Sequence, residues 1–113
     1  MDCVFCRISQ DKTPAKKIYQ DNDIIAFHDI NPQAPVHVLI ISRRHLTNLL
    51  DVNSQDESLL GKMLVIATQI AKELNVAETG FRIVINTNKN AGQSIDHLHI
   101  HLLGGRKMQW PPG

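Results

Sequence analysis

The chain has no field of one charge sign: across 113 residues, 12 Lys and Arg stand against 11 Asp and Glu, a net charge of +1. Phosphate-backbone binding is driven by clustered basic residues, so this balance gives a nucleic-acid partner no electrostatic support. Long apolar runs are missing too. Segments such as Val38–Ile41 fall far short of the roughly 20 residues that a membrane-spanning helix needs, and no membrane partner is expected. The first residues, Met1-Asp2-Cys3-Val4-Phe5-Cys6, have neither the charged nor the apolar region of a secretory signal, so the expected compartment is the cytoplasm. Cysteine is scarce, with two in the chain. In that compartment Cys3 and Cys6 are expected as thiols or metal ligands, not as a structural disulfide. No internal repeat or low-complexity tract is visible, and 113 residues with 42% hydrophobic content suit one domain, 1–113, around one core.

What is present is organised around residues 91–103, Ala-Gly-Gln-Ser-Ile-Asp-His-Leu-His-Ile-His-Leu-Leu. His97, His99 and His101 alternate with Leu98, Ile100 and Leu102, the period of a β-strand with one apolar face and one imidazole face. Successive imidazoles would stand about 6–7 Å apart, close enough for two of them to touch one small anion. Two other readings compete at this point, an exposed strand that happens to be rich in histidine and a metal face made of all three. Neutral imidazole is a competent nucleophile near neutral pH, and a second, protonated imidazole would balance charge on a phosphate. Gly92 would let backbone approach a ligand, and the Ser94 hydroxyl could donate a proton or a hydrogen bond, although serine here is also an ordinary turn residue.

Elsewhere the patterning is structural. Cys3-x-x-Cys6 opens the chain without the preceding strand of a redox motif, and a metal reading requires two further ligands. Buried small residues are the remaining alternative for the pair. Strands are expected over Lys17–Gln20 and Ile24–His28 around the turn Asp21-Asn22-Asp23, and again over Val36–Ile41 after the proline-punctuated loop Asp29–Pro35. His37 is the odd residue in that apolar strand. A helix is expected within Asp51–Asn75, with Ser54-x-x-Glu57 as capping box and Leu60, Met63, Leu64, Ala67, Ile70, Ala71 and Leu74 as its apolar face. A further strand is expected over Phe81–Asn86, and a polar loop over Thr87–Gly92.

The run His97-Leu98-His99-Ile100-His101-Leu102-Leu103 resembles the defining motif of the histidine-triad (HIT) superfamily. Phe27-His28-Asp29-Ile30-Asn31-Pro32-Gln33-Ala34-Pro35, then His37, the tail Leu103-Gly104-Gly105-Arg106 and Trp110-Pro111-Pro112-Gly113 resemble its nucleotide-binding (Hint) branch over nearly the whole chain. The resemblance implies an α+β, HIT-like fold: an antiparallel sheet, one long packing helix, a short N-terminal helix, and a homodimer. It also implies hydrolysis of purine nucleoside phosphoramidates, adenosine 5′-phosphoramidate to AMP plus amine, through a nucleotidyl-histidine. His99 would be the nucleophile, His101 and His37 would hold the phosphate, and Ser94 would assist the leaving amine. Asp29 would take the ribose hydroxyls; Phe5, Ile8, Phe27, His28 and Ile30 would enclose the base. Asn86, Gly92 and Gln93 would lie near the phosphate, and Trp110 would reach a partner's site. Cys3, Cys6, His45 and His97 match a structural zinc set of some relatives, one ion per chain, with no organic cofactor. Dinucleoside polyphosphate hydrolysis, or a nucleotide-binding scaffold with incidental hydrolysis, is the alternative. The chain departs from many animal relatives in carrying the two cysteines, and from most relatives in the acid Asp96 just before the motif.

Overall fold

The computed structural model describes residues 3–113. Two α-helices, α1 (Val4–Ser9) and α2 (Glu57–Glu73), accompany five strands: β1 (Lys17–Gln20), β2 (Ile24–His28), β3 (Val36–Ser42), β4 (Phe81–Val84) and β5 (His99–Gly104). The strands form one sheet in the order β1-β2-β3-β5-β4, every neighbouring pair antiparallel. An α+β arrangement of this kind is what the histidine-triad resemblance implies. The β-branched run of β3 explains its central place, because both of its faces are covered and both edges paired.

Register divides the chemistry between two faces. Antiparallel partners point the same way, and Ile41 pairs with His99 while Leu39 pairs with His101. Ile25, Phe27, Leu39 and Ile41 therefore share the histidine face, where Phe5 and Ile8 of α1 close a small apolar cluster. The opposite face carries Ile24, Ala26, Val38, Ile40, Ile100 and Leu102 against α2, and this is the main core. Burying a side chain of that size is worth about 1.5–3 kcal/mol, so the helix face holds most of the folding energy and the histidine face is spared for polar work.

Two features of α2 differ from the sequence reading. Its entry is capped one residue earlier, by Asn53 and Asp56: the Asp56 carboxylate accepts from the Asn53 amide at 3.2 Å, and the Asn53 side chain accepts from Gln55 N–H at 2.9 Å. This box caps the 3₁₀ turn Ser54–Asp56 that leads into α2, and Asp56, at the N-cap of α2 itself, makes no side-chain cap hydrogen bond to the helix. The buried face is Met63, Ile66, Ala67, Ile70 and Ala71, whereas Leu64 stands out in solvent. Leu64 follows Met63 directly, so about 100° of helical rotation carries it off the face. The last strand before the histidine loop stops at Val84, two residues short of its expected end.

Candidate active site and metal centre

β5 begins at His99, not at His97. The His97 amide closes a tight turn onto the Ile95 carbonyl at 2.9 Å, and Leu98 N–H donates to Leu46 O at 2.6 Å rather than into the sheet ladder. The three histidines consequently separate into two neighbourhoods. His99 and His101 look into a cavity of about 1070 Å³; His97 is fully buried beside the two cysteines.

The proton positions at the cavity follow from partners that have only one role. A carbonyl can only accept, so His99, whose Nδ1 lies 2.7 Å from His97 O, carries its proton on Nδ1. Its Nε2 lone pair makes no hydrogen bond among the described residues. An amide N–H can only donate, so His37, whose Nδ1 receives Gln33 N–H at 3.0 Å, carries its proton on Nε2. That proton is donated to His101 Nδ1 at 2.9 Å, with Asp29 Oδ2 at 3.3 Å from the same nitrogen. His101 must then hold its own proton on Nε2. The site thus offers one nucleophilic lone pair, at His99, beside one N–H donor, at His101, with the ring centroids 5.0 Å apart. Asp29, His37 and His101 place ligand atoms within 4.8 Å of one another, but the amide at His37 Nδ1 makes this a hydrogen-bond set.

Burial pushes the His99 and His37 pKa values down from the usual imidazole range, with Asp29 partly opposing the shift in both. His101 falls further, to about 4, through burial first and then its neighbours His99 and His37. The second, protonated imidazole expected from the sequence is therefore neutral at pH 7 in the free protein; what it offers a phosphate is an N–H. An arriving phosphate anion favours the charged form and would draw these values back up.

α1 supplies the apolar wall. Phe5 packs edge-on against the His99 ring at 5.1 Å and against Phe27 at 5.7 Å, so aromatic contacts fix the nucleophile's orientation as well as lining the cavity. Ile8, Phe27, His28, Asp29, Ile30, His37, Ser94, His99 and His101 also reach the cavity. Ile30 does so only as a fully exposed rim residue, not as an enclosing wall. Asn86, Gly92, Gln93 and Trp110 do not line the cavity. The Gln93 side chain is occupied instead in tying the loop: it donates to Thr47 O at 2.8 Å and Ile95 O at 3.0 Å, and accepts from Asn88 N–H at 2.9 Å. Gly92 caps the 3₁₀ turn Lys89–Ala91 at φ +82°, and a Cβ there would meet nothing, so glycine is required for the turn and not for close approach. Trp110 is exposed on the tail and belongs to neither apolar cluster. Asp96 is exposed on the bend before His97. Several further residues line the cavity that the sequence does not single out as site residues, Leu39, Thr13 and Ile95 among them. Leu39 was legible, two positions after His37 on the same strand face; Thr13 and Ile95 come from irregular loops with no periodic signal.

Cys3, Cys6, His45 and His97 form the second neighbourhood. Cys3 is the N-cap of α1, its sulfur receiving Cys6 N–H at 3.1 Å, which turns both sulfurs the same way. Cys3 Sγ lies 3.3 Å from His97 Nδ1 and 3.7 Å from His45 Nδ1; for Cys6 Sγ the distances are 3.5 and 3.2 Å. A tetrahedral ion with metal–sulfur bonds of about 2.3 Å and metal–nitrogen bonds of about 2.0 Å separates its sulfur and nitrogen ligands by about 3.5 Å. His97 Nε2 donates to Ser42 O at 2.6 Å, which leaves the Nδ1 lone pair free to ligate and locks the ring. Burial, followed by the adjacent Cys3, pushes the Cys6 thiol pKa up, so a bound cation is what would make a thiolate comfortable there. The four residues fit a metal ion.

A sheet whose histidine face pairs an imidazole nucleophile with an imidazole donor over a nucleotide-sized cavity defines a class of hydrolase and nucleotide-binding fold. Residues 10–108 match the HIT domain family model, and the chain belongs to the HIT family. It is 45% identical over 112 residues to an uncharacterized HIT-like protein of Synechococcus elongatus, covering 99% of this chain and 97% of that one. The crystal structure of a HIT family hydrolase from Legionella pneumophila superposes with a TM-score of 0.97 at 46% identity, covering 99% of this chain and all of that one. A zinc-bound histidine triad family protein from Mycobacterium smegmatis superposes with a TM-score of 0.81 at 31% identity, covering 94% of this chain and 76% of that one.

Proposed function

We propose that the protein hydrolyses purine nucleoside phosphoramidates, releasing a nucleoside monophosphate and an amine, as a member of the nucleotide-binding (Hint) branch. The observation that carries this reading is the His99 Nε2 lone pair, aimed by the His97 carbonyl and set beside the His101 N–H. His99 attacks the α-phosphorus; a nitrogen–phosphorus bond forms, the bond to the leaving amine breaks, and the amine takes a proton with Ser94 assisting. Water then cleaves the nucleotidyl-histidine and frees AMP. His101 holds a phosphate oxygen through its neutral Nε2–H, His37 acts behind it by donating its own N–H to His101 Nδ1, Asp29 accepts the ribose hydroxyls, and Phe5, Ile8 and Phe27 enclose the base.

One zinc ion held by Cys3, Cys6, His45 and His97 belongs to the same reading. With four protein ligands it has no position for water and fastens α1 to the start of the histidine strand, with no part in the chemistry. Support comes from the ligand spacing and from the zinc-bound mycobacterial relative. A cytoplasmic homodimer completes the proposal. Leu64 and Val65 are exposed on α2, and β4 is paired on one side only among the described residues.

The test is turnover of a panel, an adenosine phosphoramidate beside a guanosine analogue and diadenosine polyphosphates, with zinc-loaded protein. Efficient release of AMP from the phosphoramidate and slow cleavage of the polyphosphates is expected. The reverse order would move the protein to the dinucleoside polyphosphate hydrolases.

A further inference from the structure

The loop between β2 and β3 and the segment following β5 meet at Gln33. Its main-chain N–H donates to His37 Nδ1 at 3.0 Å, and its carbonyl accepts from Arg106 Nε at 3.0 Å. The two segments are also in close contact. Gly105 stands at φ +90°, and a Cβ there would come within 2.9 Å of Pro35 Cβ. A series of hydrogen bonds therefore runs from an exposed arginine to the cavity. Arg106 Nε–H reaches Gln33 C=O, Gln33 N–H reaches His37 Nδ1, and His37 Nε2–H reaches His101 Nδ1 at 2.9 Å.

We propose that Arg106 is a positioning residue for this site: by holding Gln33 against His37, it fixes the proton order of the His37–His101 pair from outside the cavity. The reasoning is one of polarity. If His37 shifted its proton to Nδ1, that N–H would confront the Gln33 N–H, and its Nε2 lone pair would confront the Asp29 carboxylate 3.3 Å away. His101 would then be free to move its own proton to Nδ1, presenting a lone pair to an anionic phosphate oxygen where a donor is needed. An anchored Gln33 amide removes that alternative. Arg106 does not line the cavity, so it acts only through the loop it clamps.

The kinetic half of the inference rests on the phosphoramidate reading; the tautomer half does not, because it is read without substrate. In zinc-loaded protein labelled with ¹⁵N-histidine, long-range proton–nitrogen correlation spectra assign the tautomers of His37 and His101. Both are expected as Nε2–H in the wild type. Arg106→Met keeps the apolar stem and removes the donor. It should give His37 a mixed tautomer population and lower kcat about fivefold, as loss of one hydrogen bond does, with KM within about twofold. Arg106→Lys, which restores a donor, should recover most of both. A wild-type His37 protonated on Nδ1 would overturn the proposal. So would an Arg106→Met protein whose tautomers match the wild type, whatever its rate. Should Arg106→Met fail to fold, the wild-type spectrum decides the proton order, and Arg106→Lys decides the anchor: it must keep the wild-type tautomers. If the wild type shows the expected tautomers yet turns over no phosphoramidate, the functional reading fails and the proton order stands.

Discussion

His101 makes acid sensitivity a quantitative test of the site. Its pKa is 6.5 in an unfolded chain and about 4 in the folded one, so between those values the unfolded chain binds more protons. The sign follows: the contribution of His101 to stability is fully present above pH 6.5 and is lost as pH falls towards 4. Each unit of pKa difference is worth about 1.4 kcal/mol, and at pH 4.5 the loss from this one group comes to about 2.5 kcal/mol. The perturbation is a fall from pH 7 to pH 4.5, applied in parallel to the wild type and to His101→Gln, which cannot titrate. Urea denaturation at one fixed protein concentration gives the unfolding free energy of each. Other buried histidines and the metal ligands also respond to acid in both proteins, so the difference reads His101 together with its coupling to His99 and His37. The wild type should lose about 2.5 kcal/mol more than the variant over this range. Equal losses would refute the reasoning, because they would mean that the folded pKa of His101 is not depressed.

Replacing His99 with Ala should lower phosphoramidate turnover at least about a thousandfold while AMP affinity, measured by calorimetry, changes only a few-fold, because base and ribose contacts lie elsewhere. Gly104→Ala would bring a Cβ within 2.8 Å of the Val76 side chain behind β5. Since Val76 is buried and β-branched, overpacking should cost about 1–3 kcal/mol in denaturant unfolding. Elemental analysis of the wild type should give about one zinc per chain, and Cys6→Ala, or chelation of the wild type, should abolish it and lower Tm. Activity should then fall in step with loosening of Phe5 against His99; a metal-free protein with unchanged Tm would count against the site.

The two-residue period of Leu98–Leu102 makes the division into a core face and a histidine face legible in the sequence for His99–Leu102, whereas the turn that takes His97 out of the strand leaves no periodic mark. The strands Lys17–Gln20 and Ile24–His28 were legible for a similar reason, bounded by an Asp-Asn-Asp turn. Ser54 and Asn53 are equally good caps in sequence, and only the 3₁₀ turn that precedes α2 separates them. The neutral state of His101 in the free protein is set by burial, which a motif does not display. Gln33 belongs to the run that carries the resemblance, but nothing in the sequence marks its role at His37. Its contribution is a backbone amide, and every residue except proline brings one to the sequence unseen.

The pairing of Ile41 with His99 and Leu39 with His101 has a consequence for how the chain tolerates length changes. A slip of one position between β3 and β5 would turn both imidazoles into the hydrocarbon side and expel Ile100 and Leu102 into the cavity. Such an error could not persist as a folded but inactive molecule, because the layer under α2 would lose its filling at the same moment. Deletions within the exposed turn Lys89–Ala91, which leave the Asn88 anchor in place, are therefore survivable, the slack being taken up outside the sheet. A single-residue deletion between His99 and Leu102 is not. Quality control by proteolysis would remove it before any assay for catalysis was possible.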